Sequence, residues 1–206
     1  MTQPDLGFIH RFEKGQDVRT LLLLHGTGGD ENDLLPLGKM LAPGWSMLSP
    51  RGKVLEGGAP RFFRRVAMGV FDLEDLVVRT HELSDFVGRA AEAYSFDPNQ
   101  VVAAGYSNGA NIAASALLLR PGTLRAAILL RPVMPLTPPT QPDLSGVGVF
   151  IAAARQDPFS PVEQTERLAA YLQESGAAVQ VNWVEGGHGL LRPELGLAAA
   201  WLGKLA

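Results

Sequence analysis

The sequence predicts an α/β fold, a mostly parallel, doubly wound sheet of about seven strands, on three observations. Short runs rich in Val, Ile and Leu recur along the chain. Most are too continuous to alternate between apolar and polar residues, as expected of strands covered on both faces. Amphipathic helical patterns lie between them, and strands that alternate with helices are joined by crossovers that set them parallel.

The first two runs, Gly7 to Phe12 and Val18 to Leu24, are joined by "EKGQD" and read as an antiparallel hairpin at one edge. Trp45 to Leu48 reads as a third strand, followed by a long connection from Ser49 to Asp72. Leu73, Leu76, Val77, Leu83, Phe86, Val87 and Ala90 then recur at three and four, with Glu74, Asp75, Arg79, Glu82 and Arg89 on the other face, which predicts an amphipathic helix. Val101 to Gly105, Ala126 to Leu130, Val147 to Ala153 and Ala178 to Val184 complete the strands. Helices are expected from about Asn108 to Arg120, Val162 to Ser175 and Pro193 to Leu205, each bounded by Pro or Gly. A second long connection, Arg131 to Gly146, is dense in proline. Long loops in a compact domain are often functional.

With 206 residues, 46 % of them hydrophobic, residues 1–206 suit one domain with no inserted cap. A formal charge of −3 without long runs of either sign excludes attraction to nucleic acid or an anionic membrane and favours a small-molecule partner. No stretch approaches the roughly 20 apolar residues of a membrane span, and "MTQPDLGFIHRF" lacks a basic-then-apolar leader, so a cytoplasmic location is expected. There is no cysteine, which removes disulfides, thiolate metal sites and a cysteine nucleophile.

Chemistry enters where the Val101 run stops at Gly105-Tyr106-Ser107-Asn108-Gly109. This fits the G-x-S-x-G elbow, in which a sharp strand-to-helix turn lifts a serine above the carboxyl end of a sheet and its neighbours must lack bulk. A serine helix cap is the plainer alternative. A nucleophilic serine needs a base, and the base an orienting acid. Of four histidines, His10 lies in an edge run and His81 in the amphipathic helix, both structural by placement, whereas His188 stands in the glycine-flanked loop "VEGGHGLL" after the last strand. Asp157, in "RQDPFSP", follows another strand end, with Glu185 as a fallback too close in sequence to turn back to the ring. The order Ser107, Asp157, His188 is that of the α/β-hydrolase arrangement.

"HGTGGDENDLLPL" after the second run departs from the dinucleotide fingerprint, because Glu31 stands where the third glycine is required. It reads instead as an oxyanion loop, with the backbone amides of Thr27 and Asn108 as donors and His25 as a brace.

His25-Gly-Thr-Gly-Gly, Gly-Tyr-Ser107-Asn-Gly, Asp157-Pro and Gly-Gly-His188-Gly together resemble the phospholipase/carboxylesterase family of α/β-hydrolases, related to acyl-protein thioesterases and dienelactone hydrolases. "SPRG" at 49–52 and "PRFFRR" at 60–65 are similar to a subgroup linked to quinone and hydroquinone stress. The resemblance implies a serine carboxylesterase acting on small to medium esters, with no metal or organic cofactor, and it allows a homodimer. Two departures stand out. Asn108 replaces the glutamine usual after the thioesterase nucleophile, and a chain without cysteine does not share the nucleophile of dienelactone hydrolases. A thioesterase or lactonase on the same triad is the alternative within enzymes, and a non-catalytic sensor the alternative outside them.

Arg51, Arg65 and Arg131, with Phe62 and Phe63 as an aromatic wall, are candidate substrate contacts, since guanidinium groups grip carboxylates bidentately. The plainer role for such arginines is to pair with Asp72, Glu74 or Asp75 and cover the core with their stems.

Overall fold

A computed structural model describes residues 4–205. Met1 to Gln3 and Ala206 lie outside the described residues. The elements run β1 (His10–Glu13), β2 (Thr20–Leu24), α1 (Leu35–Leu41), β3 (Ser46–Pro50), β4 (Val54–Glu56), β5 (Ala59–Arg61), β6 (Arg65–Ala67), β7 (Val70–Phe71) and α2 (Leu73–Tyr94). They continue with β8 (Val101–Tyr106), α3 (Asn108–Leu119), β9 (Ala126–Leu130), β10 (Gly148–Ala154), α4 (Val162–Glu174), β11 (Ala178–Val184) and α5 (Arg192–Leu202).

Seven strands form the central sheet in the order β1-β3-β2-β8-β9-β10-β11. All neighbours are parallel except β1, which runs antiparallel to β3. The predicted fold class, a mostly parallel sheet of seven strands with helices on both faces, is the observed one. The side-chain period of two divides each buried strand between two cores. Leu22, Leu24, Ala103, Leu129 and Ile151 pack with α2, α3 and α4, while Leu21, Leu23, Val102, Ile128 and Phe150 pack with α1 and α5. This is why the runs look continuous rather than alternating.

The expected hairpin between the first two runs is corrected. β1 is at the edge, as read, but it pairs with β3: His10 faces Pro50 and Glu13 faces Met47. Every residue of β2 is buried, so β2 takes an interior place between β3 and β8. The connecting loop crosses the start of β3, where the amides of Gln16 and Asp17 both donate to the Gly44 carbonyl at 2.8 and 3.0 Å. A short connection thus serves a crossover, and its length alone does not distinguish that from a hairpin.

The connection after β3 is not structureless. It folds into two small antiparallel hairpins, β4–β5 and β6–β7. Helix α1, which starts inside the stretch expected to form the oxyanion loop, begins just before Pro36. Among the described residues no helix is long and apolar enough to cross a membrane.

The crossover has a steric requirement at Gly15, where an added Cβ would collide with the backbone of Gly44, Trp45 and Ser46. Because that backbone leads directly into β3 and cannot yield as a flexible side chain does, Gly15→Ala should lose at least the roughly 1–3 kcal/mol of an overpacked site. Thermal unfolding followed by circular dichroism should show a Tm several degrees below wild type. An unchanged Tm would mean that the loop does not cross here.

Candidate active site

The site is built at the carboxyl ends of the parallel strands, where the backbone leaves the sheet. Strand β8 ends at Tyr106, and Ser107 takes φ 53° and ψ −113° before α3 begins. For a residue with a Cβ this is a strained conformation, and such strain persists only where the surroundings over-determine it. Here they do. A Cβ on Gly105 would strike the carbonyl of Gly109, and one on Gly109 would strike the carbonyls of Leu24 and His25. The two motif glycines therefore let α3 enter directly against β2 and β8. The Ser107 amide donates to Leu130 at 2.9 Å, and its carbonyl accepts from Asn111 at 3.0 Å.

His188 Nε2 lies 2.9 Å from Ser107 Oγ, and His188 Nδ1 lies 2.7 Å from Asp157 Oδ2. The Asp157 side chain is fully buried, and its second oxygen accepts from the amides of Phe159 and Ser160 at 2.8 and 3.2 Å. A buried carboxylate satisfied on both oxygens makes Nδ1 the protonated nitrogen, which leaves the lone pair of Nε2 facing the serine hydroxyl. The imidazole is flanked by the rings of Tyr106 and Phe159, each centred 5.2 Å away. Residues 81 apart and 31 apart in sequence thus meet in one line of hydrogen bonds. Glu185 is well exposed and paired with Arg155, away from the ring.

Thr27, Ser107, Asn108 and His188 share the wall of a cavity of about 760 Å³. The Thr27 loop and the start of α3 are tied to the connection after β3 by four contacts. Gly28 N donates to the Pro60 carbonyl at 2.9 Å, and Arg61 Nη1 donates to Thr27 Oγ1 at 2.7 Å. Phe62 N donates to Asn108 Oδ1 at 2.7 Å, and Gly52 N to His25 Nε2 at 2.9 Å. His25 thus braces the loop, as expected, with Nδ1 donating to the Gly26 carbonyl at 2.7 Å. Burial lowers the His25 pKa and, for the 3 % exposed Arg61, holds the guanidinium below its ordinary value, with neighbouring Arg65 acting in the same direction.

Of the candidate substrate contacts, only Arg65 lines the cavity, in company with Arg61 and hydrogen-bonded to Glu56. The other four are corrected. Arg51 lies outside it, paired with Glu31 at 2.5 and 2.9 Å. Phe62 and Phe63 are buried in the main core rather than forming a wall. Arg131 is 1 % exposed and engaged with Glu194. The plainer role of the loop arginines is met by Arg64, which pairs with Asp72 at 3.0 Å. Sequence reasoning missed Tyr106 beside the imidazole, and Glu194. Glu194 follows Pro193 at the start of a helix, a pattern that signals a helix start and conceals a buried charge.

Strand order, the strained serine at a strand-to-helix turn and the aligned Ser, His and Asp define an α/β-hydrolase. The family described as "Dienelactone hydrolase family" matches residues 63–199, and the chain belongs to that family. It is 50 % identical to MhqD of Bacillus subtilis (strain 168) over 93 % of this chain and 96 % of that one. The crystal structure of the Bacillus cereus carboxylesterase matches with a TM-score of 0.96 and 46 % identity, covering 98 % and 96 % of the two chains. That of a carboxylesterase from Mesorhizobium loti matches with a TM-score of 0.92 and 30 % identity over 98 % and 97 %. The protein is a hydrolase of the dienelactone hydrolase and carboxylesterase type.

The lowered pKa of His25 has a consequence for stability. Below the ordinary histidine value of about 6.5 the unfolded chain takes up a proton that the native state resists, so native stability falls as pH falls through that range. Urea midpoints at pH 7.5 and 5.5 should therefore drop in wild type by more than in His25→Gln, which has no proton to gain. Equal drops would show that His25 titrates alike in the folded and unfolded chains.

Proposed function

We propose that this hydrolase is a serine carboxylesterase acting on small to medium esters through Ser107, His188 and Asp157. The observation that carries the reading is the Ser107–His188–Asp157 hydrogen-bond line on the cavity wall. Ser107 Oγ attacks the ester carbonyl carbon as His188 Nε2 takes its proton. The charge that develops on the carbonyl oxygen is held by the amides of Thr27 and Asn108, the latter in the first turn of α3, where the helix dipole adds to the attraction. The intermediate collapses, the bond to the alcohol oxygen breaks, and His188 returns the proton to the departing alkoxide. Water, deprotonated by the same nitrogen, then attacks the acyl-serine and releases the acid. Asp157 holds the imidazole in the required tautomer and stabilises its cation. The scheme uses no metal or organic cofactor.

The cavity volume lies within the usual range of about 300–1,000 Å³ for small-molecule sites. Met68, Val70, Phe71, Met134 and Phe159 supply apolar surface, and Arg61, Arg65, Asn111 and Gln164 are among the polar groups on the wall. This composition supports an ester whose acyl or alcohol part is largely apolar.

A fluorophosphonate should label wild type at Ser107, as read by mass spectrometry of the labelled peptide. Ser107→Ala should abolish labelling and lower kcat for p-nitrophenyl esters by about 10⁶, and Asp157→Asn by about 10⁴. A Ser107→Ala protein that kept a tenth of the activity would refute the triad. The oxyanion loop has its own test. Thr27→Pro deletes the amide and should cost about 10²–10³ in kcat. Thr27→Ala keeps it, and because Arg61 then loses an acceptor, its penalty should fall on Tm rather than on kcat. Equal kinetic losses in the two variants would place the oxyanion donors elsewhere.

A further inference from the structure

His188 stands between Gly187 and Gly189, with Gly186 before them, in a loop whose sequence gives it almost no stiffness of its own. A base on such a loop samples many positions unless its backbone is held. The carbonyls of three consecutive residues are held. Tyr106 Oη donates to His188 O at 3.1 Å. Arg131 takes the two on either side, Nε donating to Gly187 O at 3.2 Å and Nη2 to Gly189 O at 2.8 Å.

The rest of the guanidinium is fully used. Nη1 donates to Ala152 O at 3.1 Å and to Glu194 Oε2 at 2.9 Å, while Nη2 also donates to Glu194 Oε1 at 2.8 Å. Five N–H groups thus meet five acceptors, the full complement of an arginine. Glu194 Oε1 in turn accepts from Leu191 N at 2.6 Å, which ties the far end of the same loop to the start of α5. Both side chains of the pair have no exposed surface. Arg131 has φ 58°, one of three non-glycine residues in the left-handed region among those described, with Ser107 and the helix-capping Ser95.

A buried ion pair is a poor device for stability alone, since well-packed apolar residues of similar volume often serve as well or better. Backbone strain on an arginine adds to that cost. What the pair uniquely supplies is a rigid planar fork that fixes two carbonyls at once. We infer that Arg131, backed by Glu194, is a positioning residue that clamps the 187–189 backbone and so holds His188 Nε2 at the Ser107 hydroxyl. The inference rests on the serine-esterase reading for its kinetic consequence, though not for the geometry of the clamp. Lysine at position 131 keeps the charge but cannot span both carbonyls and the carboxylate together.

The experiment compares wild type with Arg131→Lys. Exhaustive fluorophosphonate labelling counts competent sites, and p-nitrophenyl ester hydrolysis is then expressed per labelled site. Arg131→Lys should label Ser107 slowly but to completion, with kcat per site lowered about 10²-fold and KM little changed, the size expected when a catalytic group is displaced by about an ångström. Fewer sites, each with wild-type kcat, would mean a purely structural pair and overturn the clamp. Should the lysine variant not fold, Arg131→Met combined with Glu194→Gln removes both charges together and leaves an acceptor for Leu191 N. Once folded by circular dichroism, it should show the same loss per site, and wild-type kcat per site would overturn the inference. A wild-type protein that is not labelled at Ser107 would overturn the esterase reading instead. The clamp is then decided without activity by the low-field NMR resonance of the His188 Nδ1 proton, identified by its absence in Asp157→Asn. It should broaden or vanish in Arg131→Lys, and an unaltered resonance would overturn the clamp.

Discussion

The approach of Gly109 to the end of β2 is the constraint on which the site depends. An added Cβ there would collide with the carbonyls of Leu24 and His25, so α3 enters the fold at a separation that only glycine permits. That entry forces the chain to reverse within one residue, and Ser107 bears the strained φ and ψ that the reversal requires. Eleven of the twelve residues of α3, from Asn108 to Leu118, are buried, which makes this helix the anchor holding the strained turn in place. The cost of a residue in such a conformation, of order 1–3 kcal/mol, is small against the burial of that helix.

From this turn the other parts follow by topology. Parallel strands end on one side of the sheet, so the loops after β2, β8, β10 and β11 gather there without any local sequence signal linking them. The loop after β2 brings Thr27, that after β10 brings Asp157, and that after β11 brings His188. Each is stiffened differently. Asp157 is fixed by the amides of Phe159 and Ser160, Thr27 through the Arg61 guanidinium, and His188 by Tyr106 at the end of β8 and Arg131 just past the end of β9.

The parts legible in the sequence were those that leave a local mark. Buried strands leave continuous apolar runs, the elbow leaves two glycines around Ser107, and Glu185 stands too near His188 in sequence to turn back to the ring, which favours Asp157. Pairing partners leave none: the five residues between the first two apolar runs fit a hairpin as well as a crossover, so the sequence does not separate pairing with β2 from pairing with β3. Arg51 and Arg131 depart from the expected substrate contact for a related reason. Arg51, Arg65 and Arg131 are alike in sequence, yet one sits on Glu31, one on the cavity wall and one under the histidine loop. What separates them is the position of a carboxylate far along the chain, and no periodicity reports that. Phe62 and Phe63 are core residues whose place between arginines suggested a surface.

The segment after β3 divides its duties along its length. Its first hairpin and the residues up to Phe63 are stitched to the Thr27 loop, to Asn108 and into the core, so that changes there disturb the reacting groups. Its second hairpin has a different character. Val66, Met68 and Val70 are each more than half exposed, while Met68, Gly69 and Val70 border the cavity. The tip is therefore a replaceable part. Evolution or a protein engineer can exchange its side chains to retune which molecules enter, while the machinery beneath keeps its geometry. On the proposed esterase reading, selectivity and chemistry fall to neighbouring stretches of one loop, close enough to act on the same substrate and separate enough to diverge independently.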